Sequence, residues 1–219
     1  MKLMTRALMA ALVTSVGFVS PAAHAPDDQY NRETRAAEPL SDGWENDRVR
    51  LSRLSVEPGA ALPSGGNRVL IHFTADADGR MPPLAVWQPG GSAPVTNKGP
   101  GRLEAIAIEL KDGAQRSGGT PPESLDARYG VDVMPLVDNA QVLVARHRYA
   151  PGINGGPLHA HDQDIILVYL GAGYAWPADA FLWPTRFRRG DIEIIPARTF
   201  HRLANAGPDP LEMVVVVPR

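Results

Sequence analysis

The feature that most constrains this chain is a repeat of its own sequence. N-D-R-V-R-L-S-R-L-S-V-E-P-G, Asn46 to Gly59, returns without a gap as N-A-Q-V-L-V-A-R-H-R-Y-A-P-G, Asn139 to Gly152. Asn46 answers to Asn139, Val49 to Val142, Arg53 to Arg146, and Pro58-Gly59 to Pro151-Gly152. A second pair, N-K-G-P-G-R-L-E (Asn97–Glu104) and N-A-G-P-D-P-L-E (Asn205–Glu212), stands at a longer separation than the first. Both of its copies run into an apolar stretch, Ala105–Leu110 and Met213–Val217. Self-similarity of this kind marks a duplicated structural unit, so two homologous units are expected, over 44–112 and 136–219.

The units read as β-structure. Val69–Thr74, Leu84–Trp87, Leu103–Leu110, Gln141–Tyr149, Ile165–Leu170, Asp191–Ile195 and Leu211–Val217 are short apolar or alternating runs bounded by Gly, Pro, Asn and Asp. No long stretch carries a helical period. With 21 Gly and 21 Pro, tight turns are plentiful, and closely spaced short strands with such turns predict an all-β sandwich or barrel. Residues 113–135 read as a linker or lid. Residues 26–43, polar and aperiodic, read as a flexible leader.

Residues 1–25 have the form of a secretory signal: Lys2 and Arg6, an apolar run from Ala7 to Val19, then small residues ending Ala23-His24-Ala25. Cleavage after Ala25 leaves Pro26 at the new terminus, so cleavage after Ala22 is an alternative. The run is too short to span a bilayer, and no stable membrane span is expected after its removal. Export to the periplasm or the medium follows. Loss of Lys2 and Arg6 moves the formal charge from −2 to −4, and so mildly acidic a chain gives no support for nucleic-acid binding. Cysteine is absent, which excludes disulfides, thiolate metal sites and a cysteine nucleophile. There is no G-x-S-x-G elbow, phosphate loop or dinucleotide turn.

Chemistry concentrates between Gly152 and Asn205. Alternate residues of a strand share a face, so His159 and His161 project together with Ala160 turned away. His201, beyond the turn at Pro196, supplies a third imidazole if the sheet closes on itself. Three histidines with a carboxylate suit Mn, Fe, Ni, Cu or Zn and leave positions for water or substrate. A histidine pair alone is often no more than polar residues at a strand end. His72, in an apolar strand, reads as a core histidine. His147, between Arg146 and Arg148, either faces substrate or is a hydrogen-bonded surface residue. Arg146 reads as a structural ion pair or outer-face residue, since its repeat partner is Arg53, and Arg186–Arg189 as a solvated turn. Tyr149, Tyr169, Trp176, Trp183 and Phe200 line a pocket or serve as core and rim.

These residues resemble the cupins, in a two-domain or bicupin arrangement. The family's second motif, G-(X)5-P-X-G-(X)2-H-(X)3-N, is matched by Gly190, Pro196, His201 and Asn205, with Arg198 in place of the middle glycine. The first, G-(X)5-H-X-H-(X)3,4-E-(X)6-G, is matched by His159, His161 and Gly171. Its acidic position falls on Asp164, with Gln163 and Asp162 as alternatives. The resemblance implies two tandem double-stranded β-helix jelly-roll barrels. The C-terminal one holds one divalent transition metal on His159, His161, Asp164 and His201. The N-terminal unit, with Ala93 where His201 would fall, lacks the site. An enzyme acting on a small molecule is implied, an oxidoreductase or lyase, with His147, Tyr169 and Arg198 as candidate catalytic residues. A non-catalytic metal- or ligand-binding module is the alternative. Cupins also pair through their sheets, which makes a homodimer an expectation.

Overall fold

A computed structural model describes residues 43–73, 84–111, 127–176 and 184–219. The expected signal segment, all but the last residue of the leader, and residues 113–126 of the linker lie outside them, as does Trp183. The first unit contains β1 (Trp44–Glu45), β2 (Val49–Val56), β3 (Arg68–His72), β4 (Ala85–Gln88) and β5 (Leu103–Leu110). The second contains β6 (Asp132–Asp138), β7 (Val142–Tyr149), β8 (Ile165–Tyr169), β9 (Gly173–Trp176), β10 (Thr185–Phe187), β11 (Ile192–Ile195), β12 (Ala204–Asn205) and β13 (Leu211–Pro218). The chain is all-β. Among the described residues the only helical turn is the 3-10 segment Ala127–Tyr129.

Two five-stranded antiparallel sheets share one strand order. The first runs β1-β2-β5-β3-β4 and the second β6-β7-β13-β8-β11. A further three-stranded sheet, β10-β9-β12, belongs to the second unit alone among the described residues. The place of β6 corrects the expectation that 113–135 is all connector, because its pairing with β7 begins at Asp132. Pro135 is tolerated there because β6 is an edge strand, and the register shifts between Pro135 and Val137.

Hydrogen bonds reproduce the sequence repeat. Asn46 Oδ1 accepts from Arg48 N and Val49 N, and Asn139 Oδ1 accepts from Gln141 N and Val142 N. Asn97 Nδ2 donates to Val56 O and Gly101 O, both at 2.8 Å, and its Oδ1 accepts from Gly99 N. Asn205 does the same toward Tyr149 O, Asp209 O and Gly207 N. Gly59 and Gly152, at φ 78° and 75°, occupy the left-handed position that closes equivalent turns, and each donates its N–H to the carbonyl of its own unit's buried asparagine.

Period-2 alternation divides each large sheet into two apolar faces. Val142 and Val144 of β7, Ile166 and Val168 of β8, and Val214 and Val216 of β13 share one core with Val49, Leu51, Val69, Ile71, Ile106 and Ile108 of the first unit. The two sheets therefore pack on one another within the chain. Truncating a fully buried member such as Ile166 to alanine costs about 2–5 kcal/mol. The opposite faces enclose separate interiors. That of the second unit contains Leu143, Tyr149, Ile165, Leu167, Tyr169, Met213 and Val215; that of the first is a smaller cluster of Val56, Leu62, Leu70 and Ala107.

Candidate metal centre

His159 and His161 lie on the loop that enters β8, and His201 on the loop between β11 and β12. An isolated antiparallel bridge joins the two loops: His159 N donates to His201 O at 2.9 Å and His201 N to His159 O at 2.7 Å. Arg198 N donates to His161 O at 2.6 Å. The backbone of all three histidines is thus fixed by the facing loop. Their rings form a nearly equilateral triangle, with centroids 4.8, 4.7 and 5.0 Å apart. One ring nitrogen of each lies within 4.8 Å of the others.

The donor chemistry fits a transition metal. His159 Nδ1 is 2.8 Å from Pro157 O, and His201 Nδ1 is 3.0 Å from Thr199 O. A carbonyl only accepts, so each Nδ1 carries the hydrogen and each Nε2 keeps its lone pair for an ion. Backbone carbonyls commonly orient metal-binding imidazoles in this way. His161 and His201 are buried and His159 is half-buried.

Asp164 lies elsewhere. Strand alternation turns it away from the interior that Ile165 enters, toward the first unit. Its Oδ1 accepts from Ala197 N at 2.8 Å, while Oδ2 accepts from Asn46 Nδ2 at 3.5 Å and faces Arg48 at 3.8 Å. This corrects its reading as fourth ligand: the carboxylate ties β8 to the β1–β2 turn. Asp162 is exposed and 3.6 Å from Arg198 Nε. Gln163 is buried in the bend between His161 and β8.

Of the three catalytic candidates, the structure brings one to the triad. His147, on β7, shares with the three histidines a cavity of about 30 Å³, walled further by Tyr149, Ile165, Leu167, Ile195, Leu203 and Val215. It is 1% exposed, which corrects the surface alternative. Tyr169 is not part of that wall. Its hydroxyl donates to Glu193 Oε2 at 2.8 Å, its ring stacks on Phe187 at 3.9 Å, and burial holds its proton well beyond the usual tyrosine range. Arg198 directs its side chain to solvent. It adopts φ 65° in the turn closed by Thr199 N to Pro196 O, the left-handed position at which the cupin motif has glycine. Among the aromatic candidates Tyr149 reaches the cavity, whereas Phe200 is exposed. Sequence reading did not assign the apolar wall; its signal is the inward parity of Ile165, Leu167 and Val215.

No family model matches the sequence, and no curated protein matches it significantly. Solved structures do. A mutant of the salicylate 1,2-dioxygenase of Pseudoaminobacter salicylatoxidans, in complex with gentisate, superposes with TM-score 0.57 at 10% identity, over 84% of this chain and 75% of that one. Another structure of the same dioxygenase gives 0.56 at 11% identity, over 80% and 75%. A cupin 2 conserved barrel domain protein from Leptotrichia buccalis gives 0.47 at 14%, over 80% and 86%. The chain has a cupin fold. Identities this low speak for the fold alone. Within it, the cupin motif histidines are the three that converge. No helix among the described residues is long and apolar enough to cross a membrane.

Proposed function

We propose that this cupin is an exported metal-dependent enzyme acting on a small organic molecule, by an oxidoreductase or lyase reaction. The observation that carries the reading is the convergence of three imidazoles, two with Nδ1 engaged by a backbone carbonyl. The residues that would hold the ion are His159, His161 and His201. A divalent Fe, Mn, Ni, Cu or Zn ion supplies Lewis acidity toward an oxygen or activates water or dioxygen. Pro157 O and Thr199 O keep two of the rings in one tautomer and orientation. Ile165, Leu167, Ile195, Leu203 and Val215 place apolar side chains against the face of the triad, so polar contacts made there are stronger than in bulk water. His147 and Tyr149 are the polar side chains that this wall adds to the triad.

The dioxygenase solved with gentisate shares the fold, which supports a small organic substrate. Export rests on residues 1–25. Elemental analysis of the mature protein, purified without chelator or affinity metal, tests the centre. About one transition metal per chain is expected, and it should be lost in a His159→Ala/His161→Ala double variant. No metal in either sample, even after reconstitution, sinks the proposal. The small cavity favours a second reading, a binding module without turnover. Loaded protein that shows no turnover across oxidative and decarboxylation substrates would establish it. Terminal sequencing of the exported product checks the cleavage site.

A further inference from the structure

The two large sheets pack face to face, and one end of that layer stays open. There the two units border a cleft of about 410 Å³. Strand parity supplies its floor: Arg53 and Ser55 project from β2 on the face that carries Val49 and Leu51, and Glu104 projects from β5 on the face that carries Ile106. Phe73, just beyond β3, and Arg189, in the turn between β10 and β11, close its sides. The cleft shares no lining residue with the cavity of the triad.

Two guanidinium groups cross the seam in opposite directions. Arg53 of the first unit donates Nη2 to Gly190 O of the second at 2.8 Å, and Arg189 of the second donates Nη2 to Phe73 O of the first. Arg189 Cζ also lies 5.4 Å from the centre of the Phe73 ring. Carbonyl acceptors are neutral, so these bonds hold both side chains without cancelling their charge, and each guanidinium keeps further N–H donors. The second unit shows how such space is otherwise filled. In the gapless repeat Ser55 answers to Arg148, whose Nε is 3.0 Å from Glu212 Oε1. Register sets Ser55 opposite Glu104 as it sets Arg148 opposite Glu212. A serine in place of that arginine leaves the first unit with open space where the second has a long side chain.

We propose that this cleft is a second binding site, for a small organic monocarboxylate with an apolar body. The ligand's carboxylate accepts from Arg53 and Arg189, a pairing that guanidinium geometry favours, and its apolar part lies along Phe73 and Ile106. Glu104 sets the charge limit. Two guanidinium groups and one carboxylate give the cleft a single net positive charge, which attracts a monoanion and leaves a second negative charge facing Glu104. The cleft opens to solvent, so selection is by charge and not by dimensions. The site is separate from the triad and goes beyond the metal reading.

The test uses benzoate as the probe and follows its protons by saturation-transfer NMR in the presence of the mature protein. Benzoate should bind saturably, and equally well to the His159→Ala/His161→Ala variant, which removes any contribution from an ion at the triad. Arg189→Gln should weaken it roughly tenfold, as expected for loss of one charged hydrogen bond. Ser55→Arg, which installs the residue of the second unit, should fill the cleft and abolish binding. Benzamide, neutral and of the same shape, and phthalate, with a second carboxylate, should each bind about tenfold more weakly than benzoate. No saturable binding to the folded triad variant, or unchanged affinity in folded Ser55→Arg protein, overturns the site. Benzamide bound as tightly as benzoate overturns the role of the arginines, and phthalate bound as tightly overturns that of Glu104. Because the triad variant carries the test, failure of the site and failure of the metal reading are separate results.

Discussion

The two units share a frame and differ in what fills it. Register equates β3 with β8 and β4 with β11, which puts Arg68 where the second unit has Ile165 and Gln88 where it has Ile195. Those isoleucines wall the cavity beside the triad. Their counterparts close the equivalent space with a polar plug: Arg68 Nε donates to Gln88 Oε1 and its Nη2 to Pro63 O, both at 2.7 Å. Glu109 borders the plug, accepting from Gly66 N at 3.1 Å. Burial lowers the guanidinium's pKa from its ordinary value and the charge of Glu109 raises it in part. The asparagine-centred turns, meanwhile, are the same in both units. The comparison teaches that the turns and the sheet-to-sheet core hold this fold, while each interior is free to become a site or a plug.

Breaking the plug should have the largest effect. Arg68→Ala leaves Gln88 Oε1 and Pro63 O without their donor and should cost about 3 kcal/mol in chemical denaturation. Arg68→Ile with Gln88→Ile, the pair found in the second unit, should recover most of that loss. An unchanged midpoint for Arg68→Ala would show that the plug is solvated. Next come the frame asparagines. Asn97→Ala and Asn205→Ala each remove three hydrogen bonds and should cost about 2 kcal/mol apiece, equal to within about 0.5 kcal/mol. Clearly unequal costs would mean that the two frames match in geometry but not in energy.

Arg198→Gly should stabilise by up to about 1 kcal/mol, because glycine adopts φ 65° without the steric cost that arginine bears. Metal content should not change, since the guanidinium lies in solvent. The smallest effect is expected at Tyr169, whose register counterpart is His72. Its folded pKa is raised, so above about pH 10 the unfolded chain releases this proton while the folded chain keeps it. That share of stability is full below pH 10 and is lost as pH rises. Tyr169→Phe should flatten the alkaline limb of a melting-temperature profile, and an unaltered limb would assign it to other groups.

The sequence showed the frame more clearly than the site. Asn46, Asn97, Asn139 and Asn205 were visible as a repeat because their turns accept few alternatives, and apolar runs marked the central strands. The triad was legible because its residues belong to a spaced motif. Asp164 was misassigned because motif counting measures distance along the chain, whereas strand parity decides the face. One residue of displacement sends a side chain to the opposite side of the sheet. Arg68 and Gln88 carried no sequence signal, since a buried polar pair is legible only once its strands are in register. The short strands β9, β10 and β12 pair outside the two large sheets, and their runs were too brief to announce themselves.

The loop that bears His159 and His161 has a consequence for how such a centre can arise. From Gly152 to β8 at Ile165 it is four residues longer than the matching path from Gly59 to β3 at Arg68. The histidine pair stands on backbone for which the first unit has no room. Point substitution alone could not install a copy of the centre in that unit, nor turn this loop into its shorter counterpart. Whichever form came first, the two halves diverged here by insertion or deletion, and an engineer wishing to graft the triad would have to lengthen the chain before choosing any side chain.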